Sequence, residues 1–232
     1  MRAVELLRLA KKRHSYQELS KFTGIPITVL NRYVKGHILP SADRAEDIIF
    51  SLERNFNINQ QVLERLKFTK GGFIDNTKIL SDLTLLRFAA EHAIRKLAGR
   101  RISKVLTVAV DGIPFASQIA SLLGVNLIYA KKEKEVGVES FLEETFTVDR
   151  TGMQFSLYLP KDLIERRDSV LIVDDVVRSG EQLKALINLT KRAGADIAGV
   201  FILIAIGERW KQELEPAPRY PIEYLVSIPE RG

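Results

Sequence analysis

The stretch 171–182, LIVDDVVRSGEQ, decides the fold class of the larger part of the chain. Three apolar residues run into Asp174 and Asp175, and a short loop that contains Gly180 follows. This order predicts a buried strand that ends in acids and turns through the loop into a helix. Main-chain N–H groups at such a turn can hold a phosphate. Glu181 does not fit that role, because it places a carboxylate beside the phosphate.

Short apolar runs alternate with helical patterns on both sides of this stretch. Strands are predicted at 105–110, 126–130, 169–173 and 199–207, and helices at 82–98, 112–124 and 181–194. The charged residues 131–150 are predicted to form an exposed loop or hairpin, with 155–159 as its return strand. Because the strands are continuously apolar and alternate with helices, the predicted fold is α/β with a doubly wound parallel sheet.

The first part of the chain has the pattern of a small all-α domain. Helices are predicted at 3–12, 16–22, 27–35 and 42–56, and Ser15 with Glu18 forms a capping box before the second of them. We therefore predict an all-α domain at 1–53, a connector at 54–72 that ends in Gly71-Gly72, and a second domain at 73–232.

All of the excess positive charge lies near the start of the chain. Residues 1–40 contain eight Lys or Arg and two Glu, which accounts for the whole net charge of +6. The remaining residues carry 27 basic and 27 acidic groups. A basic segment on a neutral body suggests a polyanion as its partner, while the alternative is a solvated helix face.

The stretch 17–36, QELSKFTGIPITVLNRYVKG, has the features of a helix-turn-helix. Ser20 is small enough for the helix crossing, and Gly24 suits the left-handed turn between the helices. Any small helical bundle contains such a turn, so the charge excess is needed to favour DNA binding. Polar side chains then face outward, where they can contact base edges and phosphates. The candidate DNA-binding residues are Gln17, Thr28, Asn31, Arg32 and Lys35. The stretch resembles the phage-repressor type of helix-turn-helix, including the trailing GHILPS.

Composition excludes several classes of site. The chain has no cysteine, which excludes disulfides, thiolate catalysis and zinc–thiolate sites. The longest apolar run, 199–207, is too short to span a bilayer, and the first residues lack the apolar stretch of a signal peptide. We expect a cytoplasmic protein with no membrane partner.

Three predicted strand ends carry groups suited to a phosphorylated ligand. They are VAVDGIPFA (108–116), IYAKKEKE (128–135) and the stretch quoted first. Acids at a strand end can bind ribose hydroxyls or hold Mg²⁺ through water, and lysines can bind a second phosphate. Each feature also has a simpler explanation, since acid pairs cap helices, lysine runs are solvated and GIP forms turns. Ligands of open parallel sheets bind at the carboxyl ends of the strands, which brings the three features together.

Together these motifs resemble the type I phosphoribosyltransferase family over roughly residues 73–232. The resemblance implies that Asp174 and Asp175 hold ribose hydroxyls and that a loop from Arg178 to Gln182 binds the 5-phosphate. It also implies that 109–112 is the pyrophosphate loop and that the segment after the lysines is a mobile loop or hairpin over the site. The stretch 205–228 is similar to the C-terminal hood of adenine- and xanthine-type members. The predicted effector site comprises Asp111, Gly112, Lys131, Lys132, Lys134, Asp174, Asp175, Val177, Arg178, Ser179, Gly180, Glu181 and Gln182.

Two acids depart from the family's enzymes. Glu181 stands where many members have threonine, and Asp111 lies in the pyrophosphate loop. Because phosphoribosyl transfer depends on stabilising the departing pyrophosphate, these acids predict weak catalysis or none. We expect the main-chain groups of Ser179 and Gly180 to contact a phosphate while Glu181 points away from it.

With the helix-turn-helix in front, the whole chain resembles purine-operon repressors and, more closely, archaeal orotate-phosphoribosyltransferase-like regulators of sugar catabolism. The leading hypothesis is a homodimeric transcriptional regulator that binds operator DNA. Its effector would be phosphoribosyl pyrophosphate, a nucleotide or a sugar-acid phosphate. No cofactor is predicted apart from Mg²⁺ with the ligand, held through water by Asp174 and Asp175. The alternatives are an active purine or pyrimidine phosphoribosyltransferase that uses phosphoribosyl pyrophosphate and Mg²⁺, and a nucleotide-binding domain without a regulatory role.

Overall fold

A computed structural model describes residues 2–55, 57–69, 73–148, 152–214 and 218–230. The chain divides into two compact units, Met1–Arg65 and Leu66–Gly232. The division falls inside the predicted connector, whereas the predicted boundary at Gly71-Gly72 lies outside the described residues. The roles of the two units in DNA binding and ligand sensing stay predictions.

The first unit consists of helices in its described residues. They are α1 (Arg2–Lys11), α2 (Tyr16–Thr23), α3 (Ile27–Val34), α4 (Ala42–Asn55) and α5 (Ile58–Leu63). Their apolar faces meet in one core, in which Leu7, Leu9, Leu19, Leu30 and Ile48 are completely buried. The predicted helices are therefore present with shifts of one or two residues at their ends, which is the usual accuracy of a sequence pattern.

Local hydrogen bonds fix the turn between α2 and α3. Ser15 caps α2 with the predicted capping box, in which its Oγ accepts from the N–H of Glu18 at 3.2 Å. Gly24 ends the helix in the left-handed region with φ 69°. The hydroxyl of Ser20 then donates to the carbonyl of Ile25 at 2.7 Å. The turn is thus closed by side-chain and glycine chemistry that the sequence predicts.

The second unit begins with a short antiparallel pair, β1 (Lys67–Phe68) and β2 (Ile74–Asp75). The elements that follow in chain order are α6 (Thr77–Leu80), α7 (Leu83–Lys96), β3 (Lys104–Val108), α8 (Ile113–Leu123), β4 (Asn126–Ala130), β5 (Phe141–Val148), β6 (Met153–Pro160), β7 (Ser169–Val177), α9 (Glu181–Arg192), β8 (Asp196–Ile206) and β9 (Ile222–Ile228). Short 3-10 turns lie at Lys161–Leu163 and Arg209–Lys211.

Five strands form the main sheet in the order β4-β3-β7-β8-β9, and every neighbouring pair is parallel. From β3 the chain crosses to β4 on one side, and it returns through the β5–β6 hairpin to β7 on the other side. The strand order therefore reverses between β3 and β7. In open parallel sheets the crevice for a ligand lies at the carboxyl ends of the strands at this reversal.

Three strands depart from the prediction, and the first is β3, which ends at Val108 rather than at residue 110. The strand predicted at 169–173 continues to Val177, since Val176 and Val177 pair with Ile204 and Ala205 of β8. The acid pair therefore lies within a strand rather than after one. The stretch compared with a hood contributes β9, which pairs with β8 and extends the main sheet. None of the helices in the described residues is long and apolar enough to cross a bilayer.

Candidate functional site

The acid pair lies at the carboxyl end of β7, beside the reversal of strand order. Asp174 is 2 % exposed and Asp175 is 8 % exposed. Burial, followed by the neighbouring charge of Asp175, raises the pKa of Asp174 well above its ordinary value. Burial and the charge of Asp111 raise the pKa of Asp175. Two buried carboxylates of this kind are stabilised by hydrogen-bond donors or by a cation, so the site favours a ligand with hydroxyl groups.

Amide side chains donate to both acids. Gln182, at the start of α9, donates from Nε2 to Asp174 Oδ2 at 3.1 Å. Asn76, which directly precedes α6, donates from Nδ2 to Asp175 Oδ2 at 2.6 Å. Gln182 was predicted as a site residue. Asn76 was missed, because no local pattern connects two residues that are 99 positions apart in the sequence.

The loop between β7 and α9 has the geometry of an anion-binding turn. Gly180 adopts φ 97°, and a Cβ atom there would lie 2.8 Å from the carbonyl oxygen of Trp210. Within the described residues, the main-chain N–H groups of Ser179 and Gly180 donate to no protein acceptor. Free N–H groups at a helix N-terminus are suited to an anion.

Carboxylates already hold two of this loop's side chains. The hydroxyl of Ser179 donates to the carboxylate of Glu181, which is itself buried. Arg178 donates from Nε to Glu230 Oε1 at 3.3 Å. The predicted site residue Val177 is 3 % exposed and contributes to the hydrophobic core as well as to the cavity beside the loop. Arg178 is therefore paired through Nε with the C-terminal segment, while its side chain also lines the cavity beside the loop.

A cavity of about 230 Å³ joins this loop to the β5–β6 hairpin. Phe146 and Phe155, which are opposite each other in the hairpin, form one wall with Lys132. Asp174 and the turn 176–183 form the other wall. The cavity therefore brings Asp174, the phosphate loop and one lysine together, whereas Asp175 is not part of its described lining.

Only one of the three predicted lysines lines this cavity. Lys131 forms an ion pair with Glu135 at 2.8 Å, and Lys134 forms one with Glu143 at 3.4 Å. Lys132 lies over the ring of Phe155, 5.4 Å from its centroid, and forms no ion pair within the described part of the chain. Of the three lysines, Lys132 is thus the one that lines this cavity, and ligand binding by any of them stays a prediction.

The hairpin is fastened to α9 by side chains. Asn188 donates to Glu144 Oε1 at 2.8 Å, and Arg192 donates to Glu144 Oε2 at 3.0 Å. The segment predicted as a loop or hairpin is therefore a hairpin whose inner face is held against the helix that follows the phosphate loop.

The predicted pyrophosphate loop follows β3. Its Ala109–Val110 peptide is cis, and Val110 is 76 % exposed. A Cβ atom at Gly112 would lie 2.0 Å from the hydroxyl oxygen of Thr107, so only glycine fits there. Asp111 is close enough to Asp175 for its charge to affect that residue's pKa. This loop therefore adds a third carboxylate near the pair.

These carboxylates provide only part of a metal site. In the described residues no group of three or more His, Cys, Asp or Glu side chains could hold a metal ion. A Mg²⁺ ion at Asp174 and Asp175 would take most of its oxygen ligands from water and from a bound phosphate, which is usual for this ion. The residues fit that arrangement.

Comparison with known proteins agrees with the order of these motifs along the sheet. The model of the phosphoribosyl transferase domain matches residues 77–226. The chain belongs to this family. The matched residues include the acid pair, the phosphate loop, the lysines and the loop after β3. The adenine phosphoribosyltransferase of Thermoanaerobacter pseudethanolicus has the same fold, with a TM-score of 0.66 and 22 % identity over 73 % of this chain and 99 % of that one.

Relatives of this phosphoribosyl transferase domain include both enzymes and regulators. A xanthine phosphoribosyltransferase of Alkaliphilus metalliredigens is 25 % identical over 75 % of this chain and 88 % of its own length. The purine biosynthesis transcriptional repressor PurR of Bacillus subtilis is 27 % identical over 63 % of this chain and 52 % of its own length. The chain thus spans about half the length of that repressor. Family membership therefore leaves the choice between catalysis and regulation to the residues themselves.

Gln17 lies on α2, Thr28, Asn31 and Arg32 lie on α3, and Lys35 directly follows α3. All of them lie outside the residues that the family model matches. The side chains of Gln17, Thr28, Arg32 and Lys35 are exposed. Asn31 is partly buried and accepts a hydrogen bond from the hydroxyl of Tyr16 at 3.4 Å. The exposed side chains of Thr28, Arg32 and Lys35 therefore give α3 and its C-terminal end a polar and basic surface, beside which Ile27 is also exposed.

Proposed function

We propose that the chain is a DNA-binding transcriptional regulator whose phosphoribosyl transferase domain binds a phosphorylated metabolite as effector. The observation that carries the proposal is the exposure of Thr28 and Arg32 on α3 and of Lys35 directly after it, in a compact helical unit distinct from that domain. A helix of this kind, preceded by a second helix and a glycine turn, suits the major groove. The similarity to PurR supports the same interpretation.

The effector domain retains groups that recognise a phosphorylated sugar. The buried acids Asp174 and Asp175 favour hydroxyl donors, and the N–H groups of Ser179 and Gly180 favour a phosphate. Lys132 provides a cation for a second anionic group. These groups suit phosphoribosyl pyrophosphate, a nucleotide or a sugar-acid phosphate as the effector. Such effectors are consistent with the resemblance of the sequence to regulators of purine synthesis and of sugar catabolism.

The regulator is proposed to act as a homodimer. Helix-turn-helix proteins commonly read two half-sites about one helical turn apart, which requires two copies of α3. The effector would favour one placement of the two helices over another, because only a difference in affinity between states shifts their populations.

DNA binding tests this proposal directly. The full chain is titrated onto the region upstream of its own gene, with fluorescence anisotropy as the readout and at low salt. The double variant Arg32→Ala/Lys35→Ala should weaken binding. It should also reduce the slope of the logarithm of the binding constant against the logarithm of the salt concentration by up to about two, because two phosphate-binding charges are removed. Lys161→Ala, an exposed lysine of the second unit, is the matched control and should bind as the wild type does. If the wild type bound no fragment of this upstream region, even at low salt, the proposal would be overturned.

A second candidate, an active purine or pyrimidine phosphoribosyltransferase, is favoured by the acid pair and the phosphate loop together with the xanthine phosphoribosyltransferase relatives. Against it stand the carboxylates of Asp111 and Glu181 near the groups that would hold phosphate and pyrophosphate. Release of pyrophosphate from phosphoribosyl pyrophosphate and Mg²⁺ with a nucleobase, lost in Asp174→Ala, would establish the enzyme. No release with any common base would exclude it.

A further inference from the structure

A basic side chain of α1 lies against the C-terminal end of α3. Arg8 donates from Nε to the carbonyl oxygen of Val34, the last residue of α3, at 2.8 Å. Gly36 adopts φ 76°, and a Cβ atom there would lie 3.1 Å from Nη2 of Arg8. The guanidinium of Arg8 therefore lies beside the main chain on both sides of Lys35, which is one of the candidate DNA-binding residues.

A second basic residue of α1, Lys11, lies on the same face of that helix as Arg8, because it follows Arg8 by three positions. Its Nζ atom is 4.9 Å from the ring centroid of Tyr16. The hydroxyl of Tyr16 in turn donates to Oδ1 of Asn31 on α3 at 3.4 Å. This face of α1 is thus connected to α3 near Asn31 as well as at Val34. We call Arg8 and Lys11 the α1 border of α3.

Carboxylates do not neutralise the charges of the α1 border. Within the described residues the partners of Arg8 and Lys11 are a carbonyl oxygen and an aromatic ring, and neither side chain forms an ion pair. Arg13, shortly after α1, differs because Glu64 pairs with it. Arg8 is also exposed, although its neighbours on both sides in α1 are buried. Two cations that neutral groups hold in place are therefore available to an anionic partner.

The hydrogen bond to Val34 leaves most of the guanidinium of Arg8 able to bind a further group. It uses Nε, and in the described part of the chain the terminal nitrogens of Arg8 donate to no acceptor. A guanidinium can bind a phosphate through such terminal N–H groups. The partner that the proposed function places beside α3 is DNA, whose phosphates line the groove that a recognition helix enters.

We propose that Arg8 and Lys11 bind phosphates of the DNA backbone beside the groove that α3 enters. This assigns DNA contacts to α1, in addition to those of the two helices of the helix-turn-helix. The inference rests on the proposed function, since it requires that α3 binds DNA. Arg8 is at the same time a positioning residue, because its hydrogen bond to Val34 holds the end of α3 next to Lys35, and a cation stabilises that end of a helix.

Anisotropy titrations of the full chain at a series of salt concentrations test the α1 border. The probes are the upstream DNA of its own gene and an unrelated duplex of the same length. Arg8→Ala and Lys11→Ala should each reduce the slope of log K against log salt by about 0.9, and each should weaken binding roughly fivefold to tenfold near about 0.1 M salt. The factor should be the same for both duplexes, because phosphates carry no sequence information.

Arg13→Ala is the matched control, since it removes the same charge from the same segment but from an arginine that Glu64 already neutralises. Its slope should equal that of the wild type, which separates phosphate binding from a general effect of net charge. Arg8→Lys keeps the charge and should restore the slope that Arg8→Ala loses. Thermal denaturation shows whether each variant is folded, and Lys11→Ala keeps the test valid if Arg8→Ala is not.

The outcomes separate this inference from the proposed function. Wild-type slopes in both Arg8→Ala and Lys11→Ala, with binding weakened in Arg32→Ala/Lys35→Ala, would overturn the α1 border and leave the DNA-binding regulator standing. Weaker binding to the upstream DNA alone, with binding to the unrelated duplex unchanged, would show that the two residues act only through the placement of α3, and it would overturn the phosphate contacts. A wild type that binds neither duplex would overturn both ideas.

Discussion

The hydroxyl of Ser179 donates a hydrogen bond to the carboxylate of Glu181, two residues further along the phosphate loop. Glu181 is only 7 % exposed, so the loop has buried an acid beside the groups that would bind phosphate. The side chain of Ser179 is thus engaged while its main-chain N–H and that of Gly180 remain available. This arrangement suits binding of a phosphate by the main chain alone, and the nearby carboxylate of Glu181 weakens that binding through charge repulsion.

Removal of the charge at Glu181 should strengthen binding of a phosphorylated ligand. Glu181→Gln is expected to raise the affinity for ribose 5-phosphate about threefold to tenfold, since two like charges about 5 Å apart repel by on the order of 1 kcal/mol in a largely aqueous surrounding. Isothermal titration calorimetry measures the change. Glu208→Gln, which alters an exposed acid, should leave the affinity as it is. An unchanged or weaker affinity in Glu181→Gln would show that the carboxylate does not oppose the ligand.

A side chain at Gly180 should damage both the loop and the stability of the second unit. Gly180→Ala forces a β-carbon onto φ 97° and to within 2.8 Å of the Trp210 carbonyl. We expect a loss of about 1–3 kcal/mol in the free energy of unfolding and loss of ligand-induced stabilisation, measured by urea denaturation with and without ribose 5-phosphate. Gly137→Ala, where nothing lies within 4 Å, is the control. Equal stability of the two variants would contradict the close packing of the loop against Trp210.

The buried acid Asp174 should reduce stability in the absence of ligand. Burial and the charge of Asp175 raise the pKa of Asp174, so ionising it at neutral pH costs folding free energy. Asp174→Asn is expected to increase the free energy of unfolding by on the order of 1 kcal/mol at pH 7 and to abolish ligand binding. Thermal denaturation with and without ligand tests both effects. If Asp174→Asn were less stable than the wild type, the acid would have a structural role. If the variant still bound ligand, the acid would not be required for binding.

A second acid, Asp168, should have the opposite effect, because it stabilises the fold. Burial alone raises its pKa, but hydrogen bonds from the main chain of Glu165, from Lys104 and from Ser103 outweigh this, and the pKa is lowered. A carboxyl group whose pKa is lowered by folding adds stability above its unfolded pKa and loses it as pH falls through the folded pKa. Asp168→Asn should therefore cost about 1–3 kcal/mol at pH 7, and this cost should shrink progressively as pH falls from about 4, the ordinary pKa of an aspartate, through the lower pKa of the folded state.

Urea denaturation at pH 7 and pH 3 measures this difference. The exposed Asp162→Asn variant should match the wild type at both values. An equal loss for Asp168→Asn at both pH values would show that its charge is not what stabilises the start of β7.

The parts of the fold that the sequence predicted are those set by local patterns. The capping box at Ser15, the glycine turn at Gly24 and the apolar strands all follow from short-range chemistry, and the structure confirms them. β9 was not predicted, since its strand IEYLVSI mixes polar and apolar residues and its place in the sheet depends on β8. The extension of β7 through two acids was also missed, because ladder pairing with β8 outweighs the low strand propensity of aspartate.

The structure places several of the predicted site residues close together, and their ligand-binding roles stay predictions. Asp174, Ser179, Gly180 and Gln182 meet at one cavity, because the carboxyl ends of parallel strands share one edge of the sheet. The sequence could not distinguish Lys132 from its neighbours, since the distinction depends on which carboxylates the hairpin presents.

Long-range contacts explain the other omissions. The partner of Arg178 is Glu230, and the partner of Asp175 is Asn76. Both contacts form only after the chain folds, because they join residues that are distant in the sequence, and no spacing rule points to them.

The central claim is that effector and DNA bind to the same protein and influence each other. Anisotropy titrations of the upstream DNA, with and without a saturating phosphorylated ligand, measure this coupling. We predict a change of at least about fivefold in the apparent Kd for DNA, and the same factor in the affinity for the ligand when DNA is present, as linkage requires. Tight ligand binding with an identical Kd for DNA in both titrations would contradict the account.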